Sequence, residues 1–152
     1  MKKTLKFATQ LIALTVISLF AAQARAQVYD VDSRLERYVD EYIEIMELNE
    51  IPVPNQVRFM VRFHKESLPR NAAAAAWGMF KPFMVMVAVD PQAIWLSHNQ
   101  LRWLMFHELT HDIWDIRHES GLELMKPVIP EYVSGHDVDR ALCEVANYLK
   151  EK

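Results

Sequence analysis

The stretch His107-Glu108-Leu109-Thr110-His111 has the residue types and the spacing for hydrolytic metal chemistry. Residues i and i+4 of a helix lie on one side, about one turn apart. Two imidazoles at 107 and 111 can therefore share a single zinc ion. Glu108 projects about 100° further round, at the margin of the same site, where a carboxylate can take a proton from a zinc-activated water. A catalytic zinc also needs a third protein ligand and one open position. His118, seven residues after His111, is the nearest candidate. To bring it back the chain must leave the helix and turn, and Asp115 stands where that turn falls. Asp tolerates the left-handed conformation better than most residues other than glycine. Glu144, 33 residues after His111, is a rival third ligand, and His136 and Glu123 are others.

The pattern of apolar residues predicts the elements that must position this group. Ser33 and Glu36 have the form of a capping box. Leu35, Tyr38, Val39, Tyr42, Ile45 and Met46 follow at helical spacing. That helix ends near Asn49, because Ile51-Pro52-Val53-Pro54 cannot continue it. Val57, Phe59, Val61 and Phe63 alternate with polar residues and Met60, as in a half-buried strand with His64 on its polar side. The alanines of residues 72–76 lean towards helix, although the run is short. Residues 83–89 form a continuous apolar strand. Ser97 with Gln100 is a second capping box and opens a helix that runs to about Ile113. Apolar residues surround most of its circumference, so it is expected to be buried. Residues 121–132 are irregular, and Asp137 caps a last helix that carries Cys143 as a small apolar residue.

The N-terminus reads as a secretory signal peptide over residues 1–26: Met1-Lys2-Lys3 and Lys6, an apolar run from Leu11 to Ala22, then Ala24-Arg25-Ala26 as a cleavage site. The apolar run is short for a membrane span of about 20 residues. The removed segment carries four basic residues and no acidic one. Its loss leaves residues 27–152 as one domain and takes the formal charge from −3 to −7. That sign gives no support to a nucleic-acid surface. One cysteine excludes an internal disulfide framework and any thiolate metal cluster. Three glycines are too few for any of the Gly-rich nucleotide loops. A secreted or periplasmic domain, with no membrane anchor once the signal is cleaved, is the expectation.

His107-Glu108-x-x-His111, a turn and His118 together resemble the extended zinc signature of metzincin metallopeptidases. Leu124-Met125-Lys126-Pro127, seven residues further on, resembles the Met-turn of that clan, in which a methionine packs beneath the zinc site. The match spans residues 107–127 and is nearest to small secreted bacterial metzincin-like proteins. Trp114 stands where standard members have glycine, and His118 comes one position late. The resemblance implies an α+β fold: a small zincin/metzincin-like domain with a short mixed sheet, an active-site helix and a C-terminal helix. It implies zinc held by His107, His111 and His118, with Glu108 as general base and a peptide or protein as substrate. By the same resemblance, residues 83–89 would be the edge strand that pairs with an extended substrate. Tyr132 or His136 are candidates for a hydrogen bond to the oxyanion.

The expected function is therefore a secreted zinc-dependent metallopeptidase. Three alternatives stand beside it. One is a non-catalytic secreted zinc-binding domain of the same fold. Another is a gluzincin-type peptidase with Glu144 as third ligand. The last is an export-associated interaction domain without metal.

Overall fold

The computed structural model describes residues 29–152 apart from Ser67 and residues 78–82. The expected signal peptide lies outside the described residues. The fold is α+β, with a small mixed four-stranded sheet and three helices. In chain order the elements are β1 (Tyr29–Val31), α1 (Glu36–Leu48), β2 (Arg58–Phe63), β3 (Ala74–Ala76), β4 (Met84–Val89), α2 (His98–Trp114) and α3 (Gly135–Lys150). Short 3-10 turns occupy Pro91–Trp95, His118–Ser120 and Glu123–Met125.

The sheet order is β1-β2-β4-β3. β1 and β4 both run parallel to β2, and β3 is antiparallel to β4. Register places Phe59 beside Val85 and Val61 beside Val87, and all four are buried. The opposite face carries Arg58 and Arg62, both exposed. One face of the sheet thus joins the helices in a single core, as the alternation in β2 predicts. The unbroken apolar run of β4 has its explanation in its place between β2 and β3.

Three local expectations are corrected. First, Ser33 does not cap α1. The Asp32 carbonyl accepts from Leu35 N (2.7 Å) and Glu36 N (3.1 Å), and its carboxylate accepts from Arg34 N (3.0 Å). Asp32 N also donates to Val61 O, which fixes where this turn begins, and α1 starts after Leu35 with no side-chain cap. Second, Ser134, not Asp137, caps α3. Asp137 is the third helical residue and completes a capping box with Ser134. Third, residues 74–76 are strand. A run of five alanines is too short to nucleate a helix by itself, and pairing with β4 satisfies its backbone. β3 is therefore the sheet edge, and β4, expected to be the edge strand, is internal.

Helix α2 is the axis of the molecule, and Leu101 to Thr110 are buried without exception. Its Ser97–Gln100 capping box is formed as predicted. Gln100 Nε2 also donates to Pro130 O (3.2 Å) and Glu131 O (3.0 Å), which ties the late loop to the start of the helix. The buried Arg102 guanidinium lies 2.9 Å from Glu41 on α1 and 2.6 Å from Asp139 on α3. At the other end, Trp114 Nε1 donates to Tyr42 Oη, which shares a second hydrogen bond with Thr110 Oγ1; both are 3.0 Å. Burial pushes the Tyr42 phenol above its ordinary range, so it remains a neutral donor and acceptor. Tyr42→Phe leaves the indole N–H and the threonine hydroxyl without that oxygen. The expected loss is about 1–3 kcal/mol of unfolding free energy. A urea midpoint unchanged from the native protein would contradict it.

Candidate metal centre

Three ring nitrogens converge at the C-terminal half of α2. His107 Nε2 lies 3.1 Å from His111 Nε2, His111 Nε2 lies 2.9 Å from His118 Nε2, and His118 Nε2 lies 3.2 Å from His107 Nε2. His107 and His111 meet because four residues make about one helical turn. His118 arrives through the turn anticipated at Asp115. The helix runs on through Trp114, and Asp115 ends it in the left-handed conformation (φ 50°, ψ 40°). Gly121, at φ 81°, then releases the chain from the turn that holds His118.

The tautomers of the two helical histidines follow from their outer partners. His107 Nδ1 is 2.7 Å from Leu124 O, and His111 Nδ1 is 2.5 Å from Ile116 O. A carbonyl only accepts, so each Nδ1 carries the hydrogen and each Nε2 presents a lone pair in the neutral ring. Burial lowers the His107 pKa to about 4, with the neighbouring His111 and His118 adding to the effect. His111 is also lowered, first by burial. Both rings are therefore neutral at pH 7. Two bare lone pairs 3.1 Å apart repel one another, and a proton on His118 can serve only one of them well. A cation serves all three.

The donor set fits a metal ion. Tetrahedral zinc with bonds of about 2.0–2.1 Å places ligand nitrogens roughly 3.3–3.4 Å apart, close to the separations here. Carbonyl acceptors behind ligating imidazoles also fix the ring orientation and raise ligand basicity. His107 is buried, His111 half-buried and His118 exposed, so the group meets solvent on one side. The His107-His111-His118 group can hold a metal ion.

Glu108 is buried and lines the same cleft of about 800 Å³ as the three histidines. Burial, reinforced by the charge of Asp112, pushes its pKa up to about 8. Asp112 is a residue the sequence did not single out. Its Oδ2 accepts from Met86 N at 2.7 Å, beyond the point where β3 departs from β4, and anchors the metal-site helix to the sheet. An acidic residue directly after His111 in a mostly apolar helix was its only sequence signal.

In the metal-free protein these two shifts act in different pH windows. Glu108 is raised, so its contribution is present below pH 4.5 and is lost as pH rises through about 8. His107 is lowered, so its contribution is present above pH 6.5 and is lost as pH falls through about 4. Between pH 6.5 and 8 Glu108 dominates this pair. Metal-free protein is expected to lose about 2 kcal/mol across that window, and Glu108→Gln to flatten the profile. Urea midpoints measured in chelator would show it; a native profile that is already flat would contradict it.

The other candidate ligands are elsewhere. Glu144 Oε2 accepts from Glu123 N at 3.2 Å, and the Glu123 side chain pairs with Lys126 at 2.6 Å. Neither these carboxylates nor His136 belong to the histidine group. Glu144 instead steadies the 3-10 turn Glu123–Met125, whose Leu124 carbonyl receives the His107 proton. Met125 is fully buried in that turn. Tyr132 is 87% exposed, and neither it nor His136 lines the cleft.

One wall of the cleft is the edge strand. Ala73 O accepts from Asp90 N and Trp77 N donates to Met86 O. Odd-numbered residues of this stretch thus bond inward to β4, and the N–H and C=O groups of Ala74 and Ala76 point to the outer edge, which pairs with no other strand among the described residues. The facing wall is formed by residues 126–129. No protein family, curated protein or solved structure matches the chain.

Proposed function

We propose that this chain is an exported zinc-dependent peptidase of metzincin-like design. Residues 1–26 would act as its signal peptide and residues 27–152 as its catalytic domain. The observation that carries the reading is the convergence of three histidine Nε2 atoms, two with Nδ1 committed to carbonyls, in an open cleft that also contains Glu108 and the outer edge of β3. The departures from the family pattern agree with one another. The helix runs one residue longer, so the left-handed residue is 115 in place of 114 and the third histidine is 118.

In this reading His107, His111 and His118 hold the metal through Nε2. A zinc ion supplies Lewis acidity towards both a water molecule and a peptide carbonyl. Glu108 accepts the proton of the attacking water and returns it to the leaving amine. Ala74 and Ala76 align an extended substrate through backbone hydrogen bonds, as sheet edges do. The residue 126–129 wall confines it from the opposite side. The role of Glu144 in steadying Glu123 N argues against the gluzincin-type ligand set.

The test is elemental analysis of purified protein together with cleavage of an unfolded polypeptide. One zinc per chain is expected, with hydrolysis that stops in chelator and returns with zinc. Zinc without cleavage of any polypeptide would leave a non-catalytic binding domain, and protein without bound metal would sink both readings.

A further inference from the structure

Beside the main cleft lies a second concavity of about 550 Å³. The two adjoin at Asn71, Ala72 and Ala73, which line both, at the N-terminal end of the edge strand. A segment paired with Ala74 and continuing past it in an extended conformation runs towards this second concavity.

Charge sets the two concavities apart from the rest of the molecule. Residues 27–152 carry a formal charge of −7. Arg117 and Lys126 nevertheless line the main cleft, and Lys65 and Arg70 line its extension. Arg117 lies 4.0 Å from Asp115, and Lys126 is paired with Glu123. Lys65 and Arg70, both exposed, make no ion pair among the described residues. Besides Glu108, the acidic residues on these walls are Glu119 and Asp90, and Asp90 accepts from Gln92 N at 2.8 Å. Two unpaired cations at the end of a groove on an acidic protein favour an anionic occupant and repel a cationic one.

We propose that the groove selects acidic peptide segments, with Lys65 and Arg70 receiving carboxylates of the part that extends past Ala73. This rests on the peptide-binding reading of the cleft. Selection would act on binding more than on bond breaking, since the two cations stand on the far side of Asn71–Ala73 from the histidines.

The test uses zinc-loaded Glu108→Gln protein and three fluorescein-labelled peptides that differ only in a terminal block of Glu, Gln or Lys, followed by fluorescence anisotropy. The Glu peptide is expected to bind roughly 5- to 10-fold tighter than the Gln peptide at low salt, as two exposed ion pairs allow, with the difference shrinking at high salt. Introducing Lys65→Glu with Arg70→Glu should place the Lys peptide ahead of the Glu peptide, while zinc remains at one per chain. Equal binding of the Glu and Gln peptides overturns the proposal. So does tighter binding of the Lys peptide by the parent, an acidic preference that survives the double substitution, or no binding of any peptide. The wild-type zinc protein separates this outcome from that of the peptidase reading. If it cleaves none of the peptides while the charge preference and its reversal hold, hydrolysis fails and acidic recognition stands. Cleavage with no charge preference defeats the acidic selection alone.

Discussion

Glu108→Gln is expected to lower peptide hydrolysis by about 10²- to 10⁴-fold, the range for loss of a positioned general base, with one zinc per chain retained. Glu108 is buried and lines the cleft beside the histidines without belonging to the converging nitrogen group. Glutamine keeps the side-chain shape and removes only the ability to accept and return a proton. Burial and Asp112 together disfavour the carboxylate at this position. A neutral side chain therefore relieves a cost in the metal-free fold, and the variant should be at least as stable as the parent above pH 6.5. This pairing of a less active and no less stable protein separates a catalytic role from a structural one. Activity within tenfold of the parent, measured as kcat on the same peptide, would place the base elsewhere.

His118→Ala should abolish most of the stabilisation that zinc confers and leave the metal-free protein nearly unchanged. His118 is exposed, so its ring adds little to the core. Its Nε2, however, completes the group at 2.9 and 3.2 Å from the other two. A metal that binds only the folded state stabilises by about 4 kcal/mol when its free concentration is 1,000 times Kd. For a domain of this size that corresponds to roughly 10–20 °C in Tm. In thermal scans with and without zinc, the parent should show that increment and His118→Ala only a small fraction of it. Glu144→Gln should retain most of it, because Glu144 acts through Glu123 N and not as a ligand. An undiminished zinc increment in His118→Ala, or its loss in Glu144→Gln in place of His118→Ala, would overturn the assignment of the third ligand.

The parts of the site that sequence makes legible are those set by local geometry. His107 and His111 share a face because helical periodicity puts them there, and the Ser97–Gln100 box starts that helix within the residues that spell it. Asp115 takes the left-handed turn for reasons intrinsic to its short side chain, so even the return of His118 was readable. The buried character of α2 followed from its nearly continuous apolar surface.

Tertiary structure decided what local rules leave balanced. Ser33 has the spacing to cap α1, yet the helix begins after Leu35 with no side-chain cap, and the turn before it is held by Asp32, whose backbone is pinned by the pairing of β1 with β2. The alanines of 74–76 have no strand preference of their own and become the sheet edge only because β4 lies beside them. Glu144 on Glu123 N, Asp112 on Met86 N and Gln100 on the carbonyls of Pro130 and Glu131 join residues 21 to 31 positions apart. Such contacts carry no periodicity and no fixed spacing. The sequence by itself marked His107 and His111 as a pair able to share a metal ion and left His118, Glu144, His136 and Glu123 as candidates for the third ligand. The cleft around them, its edge strand and the cations at its end exist only once separate elements are packed together, because each depends on chain segments that meet through the core and not along the chain.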